Sequence, residues 1–344
     1  MLGSWPEGAA GLLSGLSVDD TALNDMRYGI HGQPPPVVNV KNSGANAFVT
    51  APGGSKKIEF VAKDSYSLRQ ILHLNVPTRS EIANNGELNE NQTRWMGADS
   101  ILFATAHRPW PAPMAPWIMT QRWNDLLFLH YALPPEVVRP LVPEALTLDT
   151  YQQRAWISVV PFWINHLRPP GVPSVPWFSH FAEVNVRTYV TRDGKPGVYF
   201  FSLDASNLSA VWGARVFYRL PYWHAAMKLK GRGGPRIEYL SKRQHGPKPA
   251  EFRGFYGPSS PIFHAHPGSL EHFLAERYCL YAYNRKRLYR GEIHHLPWEL
   301  QQATVELTEN SMAQPAGIVL PPKPELAHFA RELKVLGWAP ERLL

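Results

Sequence analysis

The chain holds 344 residues, 44% of them hydrophobic, with a formal net charge of +7, 33 prolines and one cysteine. That apolar share excludes disorder throughout and suffices for a sizeable core, while proline at roughly twice its usual share excludes a bundle of long helices, because each interior proline removes a helical hydrogen bond. No apolar run of about 18 residues suggests a membrane helix, the N-terminus lacks the basic segment of a secretory signal, and Cys279 alone can form neither an intrachain disulfide nor a thiolate metal site.

In chain order, residues 1–110 are expected to be a poorly structured segment. Residues 29–54 carry Pro34-Pro35-Pro36 with several glycines and asparagines, and residues 80–94 are polar with no hydrophobic face, so neither can bury enough apolar surface to offset its ordering entropy. Two short pieces, 57–62 and 66–74, suit a strand and a helical turn. Pro109, Pro111, Pro113 and Pro116 then force an extended linker. A second region, 117–344, is expected to form the domain.

There the patterning becomes strong and mostly β. Strands are predicted at 123–131, 154–163, 183–191, 197–204, 222–230, 235–243, 250–256, 277–283, 286–294, 299–308 and 332–338. Asp193-Gly194, residues 231–234 and Asn284-Arg285 supply hairpin turns. Short helices fit 134–141, which begins with Pro134; 207–218 capped by Ser206, with Leu208, Val211, Trp212 and Arg215 on one face; and 270–276 capped by Ser269. Many strands and few helices imply an α+β domain around a curved, largely antiparallel sheet, closed or cone-like as a β-barrel.

The charge is unevenly placed. Residues 1–110 hold 9 basic against 10 acidic side chains, and residues 111–344 hold 26 against 18. Even there the bases are dispersed, with short clusters at Arg285-Lys286-Arg287 and along 228–236, and no nucleic-acid motif carries them. No nucleic-acid partner is expected; basic loops around an anion-attracting pocket fit better.

The clearest chemical signal lies on 183–190. Glu183, Asn185, Arg187 and Tyr189 share one strand face, and Val184, Val186, Thr188 and Val190 the other. Two readings are open: an ordinary strand with one wet face, or a polar stripe lining an interior in which Arg187 grips a carboxylate with its two-pronged guanidinium. The apolar strand that follows, with Phe200 and Phe201, places 183–190 centrally and favours the second. His264, His266, His272, His294 and His295 lack metal-motif spacing, so no metal is expected. Nor is any cofactor, since there is no nucleophile elbow and no glycine-rich phosphate loop. Lys228 and Lys230 share one strand face, where their like charges would favour a Schiff-base amine, but they lead into a solvated glycine-rich hairpin where desolvation is small, so no catalytic role is expected of them.

The segments WNDLLFLHYALPPEVVRPLVPEALTLDTY, AWISVVPF, EVNVRTYV, GVYFFSLDAS, LPYWHAAM and FLAERYCLY with the downstream HHLPW resemble the bacterial YqjF-like family, a domain of unknown function grouped with the acetoacetate decarboxylase superfamily. The resemblance covers about 117–310. It implies the acetoacetate decarboxylase-like fold with an interior ligand cavity and no established activity. Decarboxylases of that superfamily carry an adjacent lysine pair, of which the first forms a Schiff base; the matching stretch here reads Ser209-Ala210-Val211-Trp212-Gly213-Ala214. The resemblance therefore implies the fold without that lysine chemistry.

The expectation is a cytoplasmic protein that binds, and beyond that could transform, a small carboxylate or carbonyl compound. Arg187 would be its anion contact, Glu183, Asn185 and Tyr189 its polar lining, and Trp156, Phe200 and Trp212 its apolar wall. The competing expectation is a structural or interaction protein whose interior is filled by its own side chains. No membrane partner is expected, and a homo-oligomer stays open.

Overall fold

The computed structural model describes residues 38–39, 46–50 and 57–61 by their backbone course, and residues 99–344 apart from 103, 173, 175–178, 218, 247 and 285. The chain divides into two compact units, Met1–Glu90 and Asn91–Leu344. In the first, β1 (Val38–Asn39), β2 (Asn46–Thr50) and β3 (Lys57–Val61) form an antiparallel sheet in that order. The strand expected at 57–62 is β3; the turn expected at 66–74 lies outside the described residues.

In the second unit, helix α1 (Asp99–Leu102) comes well before residue 117. Ile101 packs against Leu336 and Trp338, and the Trp338 indole donates to Ala115 O at 2.6 Å. Arg108 donates to Glu292 at 3.2 Å and to Ile293 O at 2.7 Å. The stretch that reads as a linker from its prolines is thus tied through Ile101, Arg108 and Ala115 to Leu336, Trp338, Glu292 and Ile293.

Each of the eleven strands predicted in this region has a counterpart: β4 (Met119–Leu133), β6 (Ala155–Arg168), β7 (Phe181–Arg192), β8 (Lys195–Ala205), β9 (Tyr222–Lys230), β10 (Ile237–Arg243), β11 (Glu251–Pro258), β12 (Cys279–Asn284), β13 (Arg287–His294), β14 (Leu300–Asn310) and β15 (Leu326–Gly337). The two-residue strands β5 (Thr147–Leu148) and β16 (Glu341–Arg342) are too short for alternation to reveal. Asp193 and Gly194 close the β7–β8 hairpin with φ of 52° and 71°, the left-handed pair that a twist-matched two-residue turn requires.

Helices α2 (Pro135–Val138), α3 (Leu208–Phe217) and α4 (Leu270–Ala275) stand where the sequence puts them. Ser269 caps α4 by accepting from His272 N at 3.2 Å. The cap of α3 is Asn207 rather than Ser206: its Oδ1 accepts from Ser209 N and Ala210 N, while the Ser206 hydroxyl is taken by Ala182 N.

The large sheet is curved but is not a clean barrel. Its pairings close twice, because β8 joins β7, β9 and β12, and β15 joins β4, β14 and β13. The strands β15-β4-β6-β7-β8 therefore form a wall shared by two rings. One ring is completed through β9, β10, β11 and β14, the other through β12 and β13. The β8–β9 and β8–β12 pairs are parallel and the rest antiparallel.

Because strand side chains alternate, the wall serves both interiors. Leu127, Leu129, Ile157, Val159, Val184 and Val186 face the larger ring and pack against Tyr239, Phe252 and Phe329. Leu126, Phe128, Val160 and Phe162 face the smaller ring. The hydroxyl of Tyr239 donates to the carbonyls of Phe162 and Glu183 at 2.9 and 2.8 Å, satisfying the polar atom that the larger core buries.

Candidate functional site

The smaller ring holds a cavity of about 690 Å³ that opens at an edge lined by the exposed Ile118 and Val172. Phe128, Phe162, Phe181, Phe200, Trp123 and Trp298 make most of its wall apolar, and Glu183, Asn185 and Arg187 bring one polar stripe from β7. That stripe is buried because β7 lies between β6 and β8 in the shared wall. Its partner face, Val184 and Val186, fills the larger ring.

Arg187 is 8% exposed. Its guanidinium carbon lies 5.5 Å from the Phe128 ring centroid and 6.0 Å from that of Tyr189. Its Nε is buried without a hydrogen-bond partner, and no carboxylate among the described residues pairs with it. The neighbouring Asn185 Oδ1 is also buried and unpartnered. A desolvated cation of this kind is costly unless an anion meets it.

Glu183 lies further along the same face, 3% exposed, and its Oε2 accepts from the Tyr222 hydroxyl at 2.8 Å. Burial pushes its carboxyl up to about 7, against the opposing hydrogen bonds from Tyr222 and Asn185 and with a small addition from the Asp204 charge. A carboxyl balanced between its two forms at neutral pH can either give or take a proton. Across the cavity, Glu292 is fully engaged, accepting from Lys195 at 2.5 Å, Trp110 at 2.9 Å and Arg108 at 3.2 Å. Arg277, another lining residue, is held by Asp149 at 2.7 Å.

Behind Arg187 runs a buried chain of polar groups. His130 Nδ1 lies 2.7 Å from Ser158 Oγ, which lies 2.6 Å from the Tyr189 hydroxyl. Burial, then the neighbouring His328 and Arg187, hold the His130 ring well below the usual histidine value. These groups are not on the cavity surface; they fix the bed on which Arg187 lies.

Of the residues singled out from the sequence, the structure thus brings Glu183, Asn185, Arg187 and Phe200 to one cavity. Tyr189 and Trp156 stand beside it in a cluster with Val198, Phe200 and Leu203 and do not line it. Trp212 is a correction: it is 66% exposed, as is Leu208 at 61%, because α3 buries Ala210 and Val211 instead. The apolar side of a single helical turn does not reveal which flank meets the sheet.

Sequence reasoning passed over Tyr222, Arg277 and the aromatic wall other than Phe200, and it weighed His295 only as a metal ligand. Tyr222 and Arg277 sit at or beside strand ends, where alternation has no reference face, and the aromatic residues read as ordinary core. His295 lines the cavity, stacked on Tyr278 at 4.6 Å, with burial lowering its pKa. Cys279 is buried, its thiol pushed up to about 12 by desolvation. Among the described residues, no three His, Cys, Asp or Glu side chains come together as a metal site, and no helix is long and apolar enough to cross a membrane.

The model of the DUF2071 family, uncharacterized conserved proteins, matches residues 120–334. The chain belongs to the DUF2071 family. The protein YqjF of Bacillus subtilis (strain 168), itself described as uncharacterized, is 47% identical over 222 residues, which is 64% of this chain and 91% of YqjF. Among solved structures, the enduracididine biosynthesis enzyme MppR complexed with pyruvate aligns with a TM-score of 0.47 at 11% identity, covering 70% of this chain and 97% of that one. An acetoacetate decarboxylase from Legionella pneumophila aligns at 0.46 and 14%, covering 70% and 94%. The DUF2071 span carries β7 and most of the cavity wall, while Ile118 and Met119, at the cavity's edge, precede it.

Proposed function

We propose that this protein binds a small carboxylate or carbonyl compound in the cavity beside β7 and exchanges a proton with it through Glu183. Arg187 receives the anionic end, and Asn185 orients it. The aromatic wall takes the apolar remainder and keeps water out, which strengthens the charge contact in a low-dielectric site. The observation that carries this reading is Arg187, over nine-tenths buried on the cavity wall and lacking a carboxylate partner among the described residues.

The chemistry proceeds without a Schiff base. None of the described residues lining the cavity is a lysine. Lys228 and Lys230 are exposed on β9, and Lys230 pairs with Glu238 at 2.7 Å. Borohydride added with acetoacetate is expected to trap no adduct; a stoichiometric adduct on a lysine would contradict this point.

The alternative, an interior filled by its own side chains, describes the larger ring, where Tyr239, Phe252 and Phe329 pack together. For the smaller ring it meets the 690 Å³ of space, inside the range of ligand pockets, roughly 300–1,000 Å³. Calorimetric titration of the full chain with a set of short 2-oxo and aromatic monocarboxylates tests the proposal. Saturable binding that Arg187→Ala weakens supports it; no binding across the set, or affinity indifferent to Arg187, contradicts it.

A further inference from the structure

Outside the cavity, Arg215, Arg219, Asn284, Arg287 and Tyr289 line a second concavity of about 280 Å³. Three separate pieces of chain deliver its arginines: α3, the connection into β9, and the tip of the β12–β13 hairpin, where Asn284 pairs with Arg287. Arg215 is fixed from behind, its Nε donating to Tyr222 O at 2.6 Å and its guanidinium carbon 5.0 Å from the Trp223 ring centroid. Arg219 holds a φ of 57°, the left-handed region that few non-glycine residues adopt.

The charge balance of these three is unlike that of most described arginines of the chain. Arg108, Arg122, Arg154, Arg192, Arg236, Arg243, Arg253, Arg277, Arg290 and Arg331 each pair with a carboxylate. None of Arg215, Arg219 and Arg287 does so among the described residues, although the three line one hollow. Like charges brought together repel unless an anion lies between them. A lone carboxylate would satisfy one guanidinium fork, whereas a phosphate monoester offers three oxygens and close to two negative charges.

We propose that this hollow binds the phosphate group of a compact phosphomonoester, independently of the carboxylate cavity. Its size admits a phosphate with a small organic substituent resting on the Tyr289 ring and Asn284 amide, and it is below the usual range for larger ligands. The three arginines line one small hollow of about 280 Å³, room for one phosphate group rather than for the repeated phosphates of a nucleic-acid strand.

Calorimetric titration of the full chain with phenyl phosphate, at an ionic strength held constant with sodium chloride, reads this directly. One saturable site is expected, weakened about tenfold by Arg219→Gln and by Arg287→Ala and further by both together. Lys228→Ala removes an exposed charge elsewhere and should leave binding unchanged. Inorganic phosphate binding as tightly as phenyl phosphate would place all recognition in the phosphate and support the site. Benzoate binding as tight as that of phenyl phosphate and weakened equally by Arg219→Gln and Arg287→Ala would overturn the assignment to phosphate. So would binding only to a single-stranded oligonucleotide, or a non-saturating response equal to that of added chloride. Benzoate binding that only Arg187→Ala weakens belongs to the carboxylate cavity and leaves the phosphate site standing. The melting temperatures of the variants, expected to match wild type, separate loss of ligand from loss of fold.

Discussion

Arg187 and Glu183 share one face of β7, and burial bears on them in different ways. The carboxyl can shed its charge by holding a proton, as its rise to about 7 shows; a guanidinium cannot. Replacing a buried, unpaired charge by an apolar side chain of similar length relieves its desolvation, so Arg187→Met is expected to stabilise the ligand-free protein by about 1–3 kcal/mol while abolishing carboxylate binding. Urea unfolding of both proteins checks this, and a large loss of stability would make Arg187 a structural residue. For Glu183 the sign follows from its raised folded value. The native state keeps its proton where the unfolded chain has lost it, so this residue's contribution is fully present below about 4.5 and is lost as pH rises to about 7. The melting temperature of Glu183→Gln should therefore gain on wild type from pH 5 to pH 8; parallel curves would show that Glu183 ionises normally.

The double closure of the sheet depends on a few junctions. At Gly197, where β8 meets β12, an added Cβ would lie 2.6 Å from Cys279 O and 2.7 Å from its Sγ. Gly197→Ala should therefore cost about 1–3 kcal/mol by overpacking, read as a lower urea midpoint; an unchanged midpoint would mean that the junction can open without loss. On the other side of β8, Arg243 from β10 grips Asp204 through Nε at 2.9 Å and Nη2 at 2.6 Å, both side chains almost fully buried. Asp204→Ala leaves that guanidinium uncompensated and should cost about 3–5 kcal/mol, most of it recovered by pairing Asp204→Leu with Arg243→Met. Failure of the double variant to recover would mean that the pair specifies the β8–β9–β10 arrangement beyond its charge balance.

For the molecule as a whole, acid stability is governed by histidines buried as neutral rings. Burial lowers His130, His295 and His328, and takes His294 to about 4. Groups with lowered folded values contribute stability above the ordinary histidine range, and it is lost as pH falls from about 6.5 toward 4. These four rings outnumber the raised carboxyls of Glu183 and Asp204, so the melting temperature should drop over that window; a flat profile would mean that these rings are protonated in place.

The strands were legible because alternation is local: β7 shows its polar face in four residues, and Asp193-Gly194 marks its end. The two-ring closure was not, because it depends on β8 and β15 each finding a third neighbour far away in sequence. Trp212 misled because an apolar helical stripe carries no mark of which flank the sheet covers. The packing of Ile101, Arg108 and Ala115 was hidden by neighbouring prolines, which signal extension equally in a linker and in a segment bound to the sheet.

The central claim is that the space beside β7 exists to hold an anionic ligand on Arg187. Native mass spectrometry of freshly purified full-length wild type and Arg187→Met tests it most directly. Wild type should carry a small acidic molecule that dissociates on activation, and the variant should carry none. A wild type at its bare sequence mass, or the same molecule retained by both proteins, would contradict the claim.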